Sequence, residues 1–403
     1  MGAISPSSST NISKEENTMG KMLKGFGLPK ILGFLFKGKK REKQIRQAPE
    51  IVKPASPTNL KAKALHPKGL LGTVKEATLR QGILFVTFDV PNFPYFRAGQ
   101  YLTISFQEGQ AIYSRPISIL SSPKQAAQGQ VYVAIKTNEQ GEFSRLASTH
   151  LTPGATISLS APSGDFYYSP NRDQKQVIAC IGGVGATPIV SMAGAILEGS
   201  ENFSLTIIYG AKSIDEAVFL PLFMEYQSRD PRIRIRFLDE SKGRRFTKEV
   251  ILEEADGQEF SLFVCGPQGM YHAFDGIAKE LGLDRKHYRR ELFGGIKDPA
   301  YFPDYPGAKQ PSFHAKIFMV DQVYEVEIPA NRPLLASLES LGIASPHRCR
   351  GGICGACRGH ILAGEVYIPN FEDGRRLSDK EKGYAHLCMT FPLSDLEIEI
   401  PAS

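Results

Sequence analysis

Three cysteines in one short loop, with a fourth well downstream, constrain this chain more than any other feature. Cys349, Cys354 and Cys357 stand at C-x4-C-x2-C spacing, and Cys388 follows later. That spacing is a [2Fe–2S] ligand pattern. Thiolates are soft ligands suited to such clusters. Gly351, Gly352 and Gly355 leave the loop backbone free to take positive φ and to bring N–H groups close to sulfur. A structural zinc is the alternative for four thiolates, although zinc sites more often use pairs of C-x2-4-C. A chain holding a cluster must draw its electrons from somewhere, so the upstream sequence is read with that question.

The remaining cysteines, Cys180 and Cys265, sit inside apolar strand-like runs, so the chain carries no disulfide framework. That usage points to a reducing, cytoplasmic setting. The eight histidines show no metal-ligand spacing, and His347 beside the cysteine loop reads as a packing or capping residue.

At 403 residues there is room for two to four domains, and composition shifts divide the chain. Residues 1–68 form an arm and linker: a polar stretch, then a basic segment over 20–46 studded with apolar residues, then a proline-rich run. Between Met19 and Arg46 stand nine Lys or Arg against one acid, a net +8 in a chain of +6, so the rest carries −2. The body is therefore near neutral, which excludes nucleic acid as a partner of the whole protein. The run Ile31 to Phe36 is too short to span a bilayer. Lysines beside apolar residues suit a peripheral contact on the inner face of a membrane; a basic leader or partner-binding tail is the alternative.

Residues 69–170 show short strands with turn residues between them, at Gly82 to Phe88, Tyr101 to Ser105 and Val131 to Lys136. These predict a small antiparallel β-barrel or sandwich. Residues 171–294 alternate apolar strands with helical stretches, which predicts a parallel-sheet α/β domain. Residues 295–311 read as a second linker. Residues 312–403 hold two strands, a helix near 333–341 and the cysteine loop, an α+β module.

Gly183-Val184-Gly185-Ala186-Thr187-Pro188 follows a strand and opens a helix. Unpaired N–H groups and partial positive charge at a helix start make a pyrophosphate site, and proline suits the first turn. Cys265-Gly266-Pro267 ends another strand, and ligands of open α/β sheets bind at such carboxyl ends.

On these motifs residues 69–293 resemble the ferredoxin–NADP reductase superfamily, a flavin and pyridine-nucleotide module. The stretch Gly183 to Pro188 resembles its pyrophosphate loop, and Cys265-Gly266-Pro267-Gln268-Gly269-Met270 its C-G-P-x-x-M turn, whose cysteine faces the nicotinamide. Tyr209-Gly210-Ala211-Lys212 is similar to Y-G-x-R, with Lys for Arg. Arg115-Pro116-Ile117-Ser118 resembles the flavin motif R-x-Y-S, with Ile117 in place of tyrosine. Gly141-Glu142-Phe143-Ser144 resembles a flavin-phosphate loop, and Glu291-Leu292-Phe293-Gly294 an E-x-F-G segment at the flavin face. Residues 313–400 resemble plant-type β-grasp ferredoxin, and the order of modules is that of the phthalate dioxygenase reductase type.

The resemblance implies an NAD(P)H-dependent oxidoreductase passing electrons through a flavin and a [2Fe–2S] cluster to a partner protein such as an oxygenase. The alternative is a non-catalytic wiring subunit of a membrane-associated complex. The implied catalytic residues are Ser118 and Cys265. The flavin and nucleotide residues would be Arg115, Pro116, Ile117, Ser118, Lys136, Gly141, Phe143, Ser144, Phe293, Gly183, Gly185, Thr187, Pro188, Tyr209, Lys212, Cys265, Gly266, Pro267 and Met270, and the cluster ligands Cys349, Cys354, Cys357 and Cys388. The phosphate loop favours FAD over FMN. Asp215 and Glu216 beyond Lys212 would repel a 2′-phosphate, favouring NADH over NADPH, while Arg244 and Arg245 argue the other way.

Overall fold

A computed structural model describes residues 69–137, 142–284, 286–291, 298–319, 322–370 and 373–401. The basic arm over 20–46, Gly141 and Phe293 lie outside the described residues. Among the described residues no helix is long and apolar enough to cross a membrane.

The first module is a six-stranded antiparallel sheet: β1 Leu70–Arg80, β2 Ile83–Asp89, β3 Tyr101–Glu108, β4 Ala111–Ser118, β5 Gln130–Lys136 and β6 Thr156–Leu159, ordered β4-β3-β6-β1-β2-β5. Alternating residues of these strands, among them Phe88, Leu102, Ile104, Val131 and Leu159, fill its core. Two helices are carried here, α1 Pro123–Ala127 and α2 Glu142–His150. α1 starts on a capping box, in which Ser122 and Gln125 satisfy each other's backbone N–H.

The second module holds five parallel strands: β7 Gln176–Gly182, β8 Ser204–Ala211, β9 Ile233–Asp239, β10 Phe260–Cys265 and β11 Tyr288–Glu291. Helices α3 Thr187–Leu197, α4 Leu220–Arg229, α5 Lys248–Ala255 and α6 Gln268–Glu280 follow its strands. Every residue of β7 and β10 is buried, as a sheet covered on both faces requires. The order β11-β10-β7-β8-β9 runs outward from β7 and then returns to its other side. The switch point lies between β7 and β10, where such sheets open a crevice.

The third module has β12 Ser312–Met319, β13 Gln322–Pro329, α7 Leu334–Ser340, β14 Arg358–Ala363, β15 Val366–Tyr367, α8 Leu377–Glu381, β16 Tyr384–His386, β17 Phe391–Pro392 and β18 Leu396–Ile400. Its mixed sheet, β13-β12-β18-β14-β16, has a parallel β12–β18 pair at its centre, a β-grasp arrangement. The stretch expected to be a linker is partly built into this module. Phe302 is buried in its core, and Asp304 accepts from the Tyr367 hydroxyl at 2.8 Å and the Asn370 N–H at 3.2 Å.

The modules pack on one another. Ile83, Ala134 and Phe166 of the first share one apolar core with Val177, Ile181 and Phe263 of the second. The third meets the barrel through an Arg332–Glu142 ion pair at 3.0 Å and through Gly342. There φ is +78°, and a Cβ would stand 2.6 Å from the Gln110 carbonyl oxygen, so only glycine permits this approach.

Candidate functional site

Where the three modules meet they enclose a cavity of about 720 Å³. That lies within the roughly 300–1,000 Å³ usual for cofactor sites. The barrel contributes Arg115, Pro116, Ile117 and Ser118 from the end of β4, Ala134 to Lys136 from the end of β5, and Glu142, Phe143 and Ser144 from the start of α2. The parallel sheet contributes Gly182 to Gly185, Thr187 and Cys265 to Pro267. The third module contributes Asn331 to Pro333, Leu335, Ala336, Arg350 and Cys388. Residues expected at the nucleotide, the flavin and the cluster thus open on one space.

Arg115 donates to the Ser114 carbonyl at 2.7 Å, with its guanidinium 5.6 Å from the centre of the Phe143 ring. Burial, and then the charge of Arg350, pull it down to about 10, still cationic at neutral pH. The helix α2 starts beside it, so N–H groups and a guanidinium together suit a phosphate. Apolar walls from Ile117, Ile135 and Phe143 suit a flat ring. The cavity fits a flavin.

At the crevice of the parallel sheet the two glycine-rich turns press on each other. Gly183 has φ +54°. A Cβ on Gly185 would collide with the Cys265 carbonyl oxygen, so its role is to let the β7 and β10 ends converge. Pro188 falls in the first turn of α3, and the Thr187 hydroxyl donates to the Val184 carbonyl at 2.8 Å. Cys265 is paired in register with Glu291 on β11. Burial pushes the Glu291 carboxyl well above its usual range, and a hydrogen bond from Ser118 partly offsets that. Burial, with Glu291 nearby, also raises the Cys265 thiol, so the pair stands neutral. Behind them the Gly266 N–H donates to the Tyr271 hydroxyl oxygen at 3.1 Å, and that hydroxyl donates to the Glu291 carbonyl.

The four candidate ligand cysteines fall into two neighbouring pairs, Cys349 with Cys354 and Cys357 with Cys388. Among the described residues no three His, Cys, Asp or Glu side chains converge on a single-ion site. Two thiol pairs match two irons with a pair each; a tetrahedral zinc would need all four around one ion. The Gly351 N–H points at the Cys349 sulfur at 3.4 Å. Cys349, and then the backbone N–H near Ala356, draws the Cys354 thiol below its usual range, while Cys357 and burial push the Cys388 thiol well above its own. The buried His386 ring bonds the Gly352 carbonyl and braces the loop from behind. Arg350 sits in the left-handed region at φ +55° and pairs with the buried Glu339 of α7.

Most residues expected from sequence line the cavity. Tyr209 does not: it packs edge-on between Phe223 and Phe237 in the sheet core. Lys212 is exposed, and Met270 lies under the turns, its sulfur filling the space that a Cβ on Gly266 would need. Sequence reasoning missed Tyr271, Glu291 as a site group, Arg332 and Arg350. It also missed Tyr101, buried on β3 and felt electrostatically by Cys349 and Cys354. Of these Glu291 carried a signal, as the first letter of its E-x-F-G segment, and so did Arg350, as the second residue of the Cys349-Arg350-x-Gly352 run.

Three family models match in succession: an oxidoreductase FAD-binding domain over residues 76–168, an oxidoreductase NAD-binding domain over 179–275 and a 2Fe-2S iron-sulfur cluster binding domain over 318–393. The glycine betaine monooxygenase reductase subunit of Chromohalobacter salexigens is 27% identical over 332 residues, 77% of this chain and 89% of that protein. One component of the 1,2-phenylacetyl-CoA epoxidase of Escherichia coli is 26% identical over 349 residues, 79% of this chain and 93% of that one. In fold the chain is similar to phthalate dioxygenase reductase, at a TM-score of 0.62 and 21% identity over 82% of this chain and 98% of the other.

Proposed function

The chain is a flavin- and [2Fe–2S]-dependent oxidoreductase of the ferredoxin-reductase type, and from that premise we propose that it takes electrons from NADH and delivers them singly to an oxygenase-type partner. The observation carrying this reading is the single cavity lined at once by Arg115 and Ser118, by Gly183 and Cys265, and by Cys388. When bound there, FAD would accept an electron pair as hydride and release single electrons, the only kind a [2Fe–2S] centre takes up.

The roles we assign follow from position. Arg115, with the first turn of α2, holds the flavin phosphate. The turn from Gly183 to Pro188 holds the nucleotide pyrophosphate. Cys265 and Gly266 offer a small neutral surface to the nicotinamide. Ser118 and the protonated Glu291 stand side by side at the cavity's edge, where they can hold or move one proton. Cys349, Cys354, Cys357 and Cys388 hold the cluster. Exposed Asp215 and Glu216 after β8 favour NADH by opposing a 2′-phosphate.

Partners of this kind are named for two relatives, a monooxygenase and an epoxidase. The basic, apolar-studded stretch 20–46 further supports a contact with an anionic membrane face, tested by cosedimentation with phosphatidylserine vesicles. For the central reading, the cofactor-loaded protein is titrated anaerobically with NADH and NADPH. Bleaching of both flavin and cluster absorbance is expected with NADH; absence of bleaching with either nucleotide overturns the reading.

A further inference from the structure

We propose that Arg350 of the cluster loop and Arg115 of the barrel close on one anion, the flavin phosphate, so that the bound flavin itself fastens the third module to the first. This rests on the flavin reading above and goes further: it makes a residue beside a cluster ligand part of the flavin site.

Both guanidiniums line the same cavity. Arg350 is 5% exposed, gives one nitrogen to Glu339, and leaves its Nε buried without a hydrogen-bond partner. At the rim Arg332 is taken up by Glu142 at 3.0 Å. Arg332 and Arg350 thus each meet a carboxylate, Glu142 and Glu339. The cation left over is Arg115, whose described bond is to a neutral carbonyl.

An uncompensated charge inside a protein is costly, and two like charges across a module junction push it apart. A phosphate placed between them reverses the sign of that interaction. The unused Nε and the α2 start, both on the cavity lining, supply the remaining donors. Flavin binding and docking of the third module then become linked, each strengthening the other.

The test uses the full chain with its cluster in place and its flavin removed. FAD, FMN and riboflavin, which lacks a phosphate, are titrated by fluorescence quenching. The double variant Arg350→Gln/Glu339→Gln replaces the buried ion pair by two amides. Its affinity for FAD and FMN should fall at least about tenfold, the scale of one charge-assisted contact, with riboflavin binding unchanged. Equal losses for all three flavins, or no loss for any, overturn the clamp. A second variant, Glu339→Gln alone, leaves the corner more positive. FAD should then raise its melting temperature by more than in the wild type, and an equal or smaller rise overturns the clamp too. A wild-type chain that binds none of the three flavins sinks the functional reading itself, an outcome distinct from a flavin-binding chain indifferent to phosphate.

Discussion

Ser118, the last residue of β4, stands beside Glu291, the last residue of β11, close enough to favour its carboxylate, so the barrel meets the parallel sheet at the cavity's edge. Neither residue could hold its place alone. The hydroxyl is fixed by the antiparallel pairing of Ser118 with Tyr101, and the carboxyl by the parallel pairing of Glu291 with Cys265.

Burial of the Glu291 carboxyl predicts a pH dependence of stability. Glu291 has a folded-state value well above its ordinary 4.5, because burial disfavours the anion. Below about 4.5 it is protonated in both states and contributes no slope. As pH rises above that, the unfolded chain loses the proton while the folded chain keeps it, so stability falls, by up to about 1.4 kcal/mol per pH unit for one group. Urea unfolding from pH 4.5 to 7 should show that decline in the wild type and a flatter curve in Glu291→Gln. Parallel curves would count against a neutral buried carboxyl.

Ser118→Ala removes the donor and should slow reduction of the flavin by NADH by about 10²-fold, the lower end for a proton-transfer group. Stopped-flow absorbance separates this from binding: the apparent NADH dissociation constant should stay within about twofold, since no recognition contact is lost.

Gly185→Ala should destabilise the chain by about 2 kcal/mol, in the range of overpacked cores, because the new methyl meets the Cys265 carbonyl. Thermal unfolding checks the stability. A raised KM for NADH is expected alongside, since the β10 end must retreat from the crevice.

Cys388→Ser breaks one thiol pair at the cavity wall. Cluster absorbance and its electron paramagnetic resonance signal should vanish. NADH-driven ferricyanide reduction, which needs only the flavin, should persist, while cytochrome c reduction falls by more than about tenfold.

Asp215→Ser/Glu216→Arg should raise kcat/KM for NADPH by about tenfold, as expected when a repulsive contact is replaced by an attractive one. Steady-state kinetics with both nucleotides would show it.

How much of this was readable in the sequence depends on the range of the interaction. The cysteine loop, the strand-ending turns and the Arg115 to Ser118 run are local patterns, and residues of each line the cavity. Tyr209 carried the same kind of local signal, yet its ring is claimed by Phe223 and Phe237, which only the packed sheet brings near. Arg332 meets Glu142 across 190 positions, and Tyr101 lies far upstream of the cysteine loop, so nothing in their neighbours announces these contacts. Phe302 and Asp304 sit in a proline- and glycine-rich run, whose composition concealed that it is anchored in the third core.

Cys388 borders the internal cavity, whereas Cys354 and its neighbour Ile353, 59% accessible, stand at the outer surface of the same module. A centre strung between them would have an indoor terminal and an outdoor one. Charging from within and discharge to a visitor can then proceed through different doors, and no module need swing aside between the two.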